Sequence, residues 1–498
     1  MRTLFLSSLA CWLFACAGSA HKSASVPITR DSTPSATPGA TSAPQIAAPP
    51  ETTSAPAEKT KPDARAVLRA WIKERLPQGG ELVDEAPGPL GVVHVAKKGD
   101  SWQSIAKAYI DLTEIYFVDD LAKEIVKANL PESKKGALEG MRFKIPQLLS
   151  EPYKTGDAER LGWPEDKQLR GFYIRGDSAA RSGFIGMLEK MAQRGINAIV
   201  LDVKDYDGPL TYPSKVPLAV ETGATKNAPI RDYARTVRFA HKYGIRVIAR
   251  ISCFEDEFIA KAKPQISVRG KWGGPYGNGW LDPNNPGAQE YIIDLVKEAL
   301  DNGVDEIQLD YVRYPVLAIK NADFKLDPKN PLAKVEVITG FVRKVHEVTK
   351  ARNVPLSLDI FGVVALGKRI DIDALGQDPA MLAPECDVLS PMVYPSHFSK
   401  GFFGFEEPGN HPELVGIGTK GTIEQTNRSD KRPLAVVRPW LQAMHYKSPE
   451  YGPNYLAREV KSGNESGGVG WLMWNPQQDW TIAYQAVPAR KDAVAGTK

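Results

Sequence analysis

From residue 171 onward, short apolar runs alternate with amphipathic helical runs, and that rhythm admits few folds. Parallel strands cannot be joined by a tight turn, and the crossover between them is usually a helix, so the alternation predicts consecutive βα units. Runs of strand character fall at 171–175, 198–202, 246–251, 306–310, 355–359, 388–392, 434–438 and 469–474. Eight strands with helices between them make an α/β chain that closes as a (β/α)8 TIM barrel. The barrel is expected over 168–484. That span exceeds the roughly 250 residues usual for this architecture, so loops must carry the excess.

Successive residues of a strand face opposite sides of the sheet. In 306–310, Glu306, Gln308 and Asp310 are polar while Ile307 and Leu309 are apolar, so the polar set is expected to face the lumen, with Asp310 at the C-terminal rim. The same phase turns Ser357 and Asp359 inward and delivers Arg175, Asp202, Arg250 and Arg438 to that rim. Active sites of this architecture sit on that face. A competing reading is a purely structural network in which the three arginines neutralise Asp202, Asp310 and Asp359, but stabilising features belong at the opposite end of a barrel.

Carboxylates on neighbouring strand ends suit acid/base work on a glycosidic bond. Neighbouring strands lie about 4.8 Å apart, which lets Asp310 and Asp359 approach the roughly 5 to 5.5 Å of retaining glycosidases. Asp310 is then the expected nucleophile, and Asp359 the acid/base whose pKa must be raised to hold a proton. Asp202 and the arginines are expected to hold sugar hydroxyls or tune the two carboxylates. Arg313, three residues past Asp310, offers a planar fork, and His397 either contacts substrate or caps a loop. Tyr311, Tyr314, Tyr394, Trp440 and Trp474 supply flat faces for pyranose rings, or pack in the core.

Four segments carry a resemblance: AIVLDVKDYDG from Ala198, GVDEIQLDYVRYP from Gly303, SPMVYPSH from Ser390 and VRPWLQ from Val437. They resemble a bacterial family of glycosyl hydrolase barrels, usually envelope-linked and distantly similar to the α-amylase-like superfamily, over about 170 to 480. The resemblance implies a carbohydrate-active barrel. In amylase-like barrels an Asp ending strand four is the nucleophile and a Glu ending strand five the acid/base. Asp310 matches the first, while Asp359 stands where the second is a Glu.

Ahead of the barrel, 64–76 reads as a short amphipathic helix with Val67, Leu68, Trp71, Ile72 and Leu76 on one side. VVHVAKKGDSWQSIA from Val92 reads as a strand, a turn and a helix start capped by Asp100 or Ser101. A helical run with Leu121, Ile125 and Asn129 follows, then a closing strand in GMRFKIP from Gly140. This order resembles a LysM domain over 94–147, with a longer middle at 109–121. For the unit at 64–150 the resemblance implies binding of N-acetylglucosamine chains of peptidoglycan or chitin; the alternative is a packing domain without sugar binding.

Residues 1–20 read as a signal peptide, and Leu13-Phe14-Ala15-Cys16 resembles the bacterial lipobox, which makes Cys16 the expected lipidation site. Simple cleavage and secretion is the alternative. The Pro-, Ser-, Thr- and Ala-rich stretch 21–63 buries too little apolar area to offset its ordering entropy and is expected to be a disordered tether, and 485–498 a tail. With 63 Lys plus Arg against 59 Asp plus Glu, the net charge of +4 gives nucleic-acid binding no support. GIGTKG from Gly416 satisfies G-x-G-x-x-G without a buried strand before it. Asp205-Tyr206-Asp207-Gly208 lacks the Glu that completes a calcium loop. No cofactor or metal is expected. The expected whole is an exported, envelope-anchored, retaining glycoside hydrolase acting on a wall or storage polysaccharide; the alternative is a non-catalytic carbohydrate-binding envelope protein.

Overall fold

The computed structural model describes residues 63–130, 138–274, 279–316 and 321–488. The expected signal peptide, Cys16 and nearly all of the tether lie outside them, as does most of the tail.

Strands Leu169–Ile174, Ala198–Lys204, Arg246–Ser252, Glu306–Asp310, Leu356–Phe361 and Val388–Met392 are followed by a strand in two pieces, Val436–Val437 and Trp440–Gln442, and by Gly470–Trp474. All pair in parallel, and the eighth closes on the first with Gly470 opposite Leu169, so the ring has no edge. The expected barrel is the observed one. Its seventh strand differs: 434–438 was expected to be continuous, whereas the strand breaks at Arg438-Pro439. Pro439 has no N–H for the ladder. The ring stays bonded across the break because Arg438 N–H donates to Leu389 O at 2.9 Å and Leu472 N–H to Pro439 O at 3.0 Å.

Helices cover the ring through apolar stripes. In Ala333–Lys350, Val335, Ile338, Phe341, Val342 and Val345 recur at three- and four-residue spacing and are buried against the sheet. The G-x-G-x-x-G segment lies inside helix Leu414–Thr426. A Cβ on Gly416 would stand 2.3 Å from Ser462 Oγ and one on Gly418 2.4 Å from Val393, so these glycines serve close packing.

The floor of the barrel is tied by side chains. Asp305, just before the fourth strand, accepts N–H groups of Leu161 at 2.7 Å, Gly162 at 3.0 Å and Val247 at 2.8 Å. His241 links Asp305, at 2.7 Å, to Glu159, at 3.0 Å. Burial alone would lower the imidazole's pKa, but the two carboxylates outweigh it and hold it up at about 9.

The N-terminal unit has helix Ala64–Arg75, an antiparallel sheet of Gly80–Val83, Gly91–Val95 and Arg142–Ile145, and helices Trp102–Tyr109 and Val118–Ala128. Strand Gly80–Val83 was not foreseen, since Leu82 and Val83 are too short a run to signal one. Ser101 caps its helix, while Asp100 accepts from Lys97 N–H at 2.7 Å and contacts His94. Ile72, Val92, Ile105, Leu121, Ile125 and Phe143 form a core separate from the barrel's. The long middle segment docks the unit. Arg231 donates to Asp111 at 2.5 Å, the Tyr116 hydroxyl meets Thr236 Oγ1 at 2.7 Å, and Arg235 donates to Ile115 O. Lys242 pairs with Glu114. Thr236, Arg235 and Lys242 all belong to helix Tyr233–Lys242, which covers the barrel between its second and third strands.

A pH prediction follows from His241. Its folded pKa of about 9 lies above its ordinary 6.5, so its contribution is fully present below pH 6.5 and is lost as pH rises through 9. The loss is on the order of 3 kcal/mol at most. Urea titrations between pH 6 and 10 should show that decline in the wild type, and a flatter profile in His241→Gln.

Candidate active site

The site is organised around Arg250. Asp202 of the second strand, Arg250 of the third and Gln308 of the fourth are lateral neighbours in register, and Asp310 stands opposite Ser252. The Arg250 fork reaches both ways: Nη1 to Asp202 at 2.6 Å and Asp205 at 3.1 Å, Nε and Nη2 to Asp310 Oδ2 at 3.0 and 2.7 Å. The Tyr173 hydroxyl donates to the other oxygen of Asp202 at 2.7 Å. Burial pushes Asp202 up to about 7 against the pull of Arg250. Because the second and third strands run on to Lys204 and Ser252, Asp202 and Arg250 lie below the strand ends expected for them.

Asp310 Oδ1 accepts the N–H of Tyr311 at 2.7 Å. Tyr311 sits in the left-handed region at φ 49°, an uncommon and strained conformation for a bulky residue, of a kind that clusters at functional sites. Arg313 lies over the rings of Phe361 at 4.3 Å, Trp280 at 4.9 Å and Tyr311 at 5.2 Å, and donates to Tyr314 O at 3.1 Å.

Asp359 is 1% exposed. Its Oδ1 accepts Trp440 Nε1–H at 2.6 Å, and its Oδ2 meets no hydrogen-bond partner among the described residues. Burial first, and the charge of Asp310 second, hold this carboxyl well above the usual carboxylate range. Just past the neighbouring sixth strand, the Tyr394 ring lies 5.2 Å from those of both His397 and Trp474. Burial and Lys447 lower His397 to about 4, so this imidazole is neutral.

Two of the expected arginines stand apart from the Arg250 network. Arg175 follows the end of the first strand, and its fork grips Asp177 at 2.9 and 2.7 Å, outside the Arg250 network. Tyr173 is the residue of that strand that reaches Asp202. Arg438 is buried beneath the rim and pairs with Glu306 at the start of the fourth strand, a carboxylate that also accepts Trp163 Nε1–H at 2.9 Å. The break at Pro439 ends the strand phase that predicted Arg438 at the rim. Tyr314 is buried against Phe324 and offers no sugar face.

Strand phase also missed residues at and beyond strand ends. Asp205 shares Arg250, and Lys204, the last residue of the second strand, forms a fully buried pair with Asp256 at 2.9 Å. Glu255, on the loop after the third strand, is half-buried. Burial raises its pKa to about 7, with Arg313 opposing and Asp310 and Asp205 adding to the rise.

Residues 171–480 match a family described as a putative glycosyl hydrolase domain. The chain belongs to this family. Its barrel is accordingly a glycoside hydrolase domain, as the sequence resemblance implied. No curated protein matches the chain. Among solved structures, a hypothetical protein from Ruminiclostridium thermocellum ATCC 27405 is 34% identical over 38% of this chain and 96% of its own, with a TM-score of 0.34. The C-terminal domain of a putative chitinase from Desulfitobacterium hafniense DCB-2 is 13% identical over 64% of this chain and 97% of its own, at 0.42. The spore cortex-lytic enzyme SleL of Bacillus megaterium QM B1551 is 12% identical over 81% and 90%, at 0.39.

Removing Arg250 would strand buried carboxylates without their counter-ion, which typically costs about 3 to 5 kcal/mol. Arg250→Met should shift the urea midpoint down accordingly, and Arg250→Lys, which keeps the charge but not the fork, should fall between it and the wild type.

Proposed function

We propose that the protein is an exported glycoside hydrolase that cleaves a wall or storage polysaccharide by a retaining, two-carboxylate mechanism. The observation that carries this reading is a pair of carboxyl groups in unlike surroundings: Asp310 bound by Arg250 and by Tyr311 N–H, and Asp359 held well above the usual carboxylate range by burial and by the charge of Asp310. Groups whose environments drive their protonation apart are the mark of an acid and nucleophile pair.

In this mechanism Asp310 attacks the anomeric carbon, the glycosidic C–O bond breaks, and the leaving oxygen takes the proton of Asp359. Asp359, now a base, deprotonates a water that releases the sugar from Asp310 and restores both groups. Arg250 positions Asp310. Tyr394, Trp440, Trp474, His397 and Arg313 shape the sugar site, Asp202 tunes Arg250, and Arg175 and Arg438 support the walls and floor. A second reading makes Glu255 the proton donor. It is favoured by the partial exposure of Glu255 and its pKa of about 7, whereas Asp359 is sealed.

The proposal extends to the rest of the chain. The leader ending near Cys16 exports and lipid-anchors the protein, the 21–63 stretch tethers it, and the 64–150 unit holds it to N-acetylglucosamine-containing glycan. The LysM-like motifs and the lipobox-like run support this part of the reading.

Product analysis on peptidoglycan, chitin and α-glucans tests the activity. Asp310→Asn should abolish turnover. Replacing the proton donor should cost about 100- to 10,000-fold on natural glycans, cost much less on aryl glycosides with good leaving groups, and remove the basic limb of the pH–rate profile. Comparing Asp359→Asn with Glu255→Gln identifies the donor. Glycan binding without turnover, unchanged in Asp310→Asn and Asp359→Asn, would instead favour a non-catalytic carbohydrate-binding protein.

A further inference from the structure

The long loop between the third strand and helix Pro286–Asp301 lies on the same face of the barrel as the bowl. Within it, Arg269–Gly270 pairs antiparallel with Ala322–Asp323 from the loop after the fourth strand, and Lys271 N–H donates to Asn321 O at 2.8 Å. The chain then folds tightly. Gly273 N–H donates to Gly270 O at 2.7 Å, Gly270 N–H to Gly274 O at 2.9 Å, and the Arg269 guanidinium to Gly273 O.

Trp272 stands at the tip of this turn and is 65% exposed. Its indole folds back over the turn, where a Cβ on Gly270 would lie 2.5 Å from the ring and one on Gly274 2.4 Å from Nε1. Both positions must be glycine for the ring to lie there. A large apolar ring on a loop tip gains little by facing water, yet this backbone seats it in place and leaves most of it open.

The loop that carries the ring is linked through its backbone to residues beside Asp310. The same loop returns through Val268 N–H to Trp280 O at 2.7 Å, and Glu255 bridges to Trp280. The Trp280 ring meets Tyr311 at 6.2 Å and Arg313 at 4.9 Å, beside Asp310. We propose that Trp272 is an outer sugar platform on which a pyranose ring of a bound glycan stacks at a distance from the scissile bond, so that the site takes chains rather than single sugars. The apolar C–H face of a pyranose matches an indole, while its hydroxyl edge stays wet. This inference rests on the glycosidase reading of the bowl.

Kinetics of the full chain on chitohexaose, maltohexaose and the corresponding p-nitrophenyl monosaccharide glycosides provide the test. For whichever hexasaccharide is cleaved, Trp272→Ala should raise KM about ten-fold, equivalent to 1.4 kcal/mol, with kcat little changed and the monosaccharide glycosides unaffected; Trp272→Phe should recover most of the loss. An unchanged KM for the hexasaccharide would overturn the platform and leave the glycosidase reading standing. If the wild type cleaves neither hexasaccharide, quenching of tryptophan fluorescence by each is compared between wild type and Trp272→Ala: weaker binding in the variant supports the platform without the enzyme, and equal or absent binding overturns it. Loss of a dimer on sedimentation of Trp272→Ala, with sugar handling unchanged, would assign the ring to contact between copies and overturn the proposal.

Discussion

One guanidinium ties the C-terminal end of the barrel together. Arg250 reaches Asp202 and Asp205 on one side and Asp310 on the other, so that three adjacent strands share one buried cation. A planar fork suits this task where an ammonium would not, because its nitrogens point in fixed and different directions. Two of them hold the same oxygen of Asp310, and Tyr311 N–H holds the other. Tyr311, whose amide makes that last bond, also takes the left-handed conformation, which redirects the chain just past the carboxylate. Stability and site geometry are thus the same interaction at this end.

The opposite end is closed by other pairs. Arg438 and Glu306 fill the lumen from below, with Trp163 of the incoming segment on the same carboxylate, while Asp305 and His241 fasten that segment to the barrel. Incoming chain and barrel are therefore locked before the first strand begins. The N-terminal unit is fastened separately, through its middle segment. Asp111, Glu114 and Tyr116 all bond to groups on or next to helix Tyr233–Lys242, so this segment acts as a docking element.

Much of this was legible because strand phase is a physical constraint. Where polar and apolar residues alternate strictly, as in Glu306–Asp310, both the strand limits and the inward set follow from the sequence. Asp310 and Asp359 were found that way. The method fails where a strand stops. Arg175 lies one residue past its strand and turns to Asp177; Arg438 abuts a proline that breaks the ladder; Glu255 and Asp205 lie on loops, where no period applies. Tyr173 was hidden for another reason: in an almost wholly buried strand its ring reads as core, and only its hydroxyl, on Asp202, belongs to the site. The seventh strand misled for the same reason that Arg438 did, since residue-by-residue apolarity does not register a missing amide hydrogen.

The bowl also has an electrostatic logic that explains why acids rather than bases dominate it. Asp202, Asp205 and Asp310 gather around Arg250, and Asp359 and Glu255 lie within reach of the charge on Asp310. Removing water makes each like-charge interaction stronger. Burial is the largest cause of the rise at each carboxyl affected: Asp359, whose hydrogen bond comes from a neutral indole, Glu255, which Arg313 offsets only in part, and Asp202, which rises to about 7 even against Arg250. The sharing of Arg250 holds Asp310 in place, while burial first and the charge of Asp310 second raise Asp359 above the usual carboxylate range against the opposing charge of Arg250.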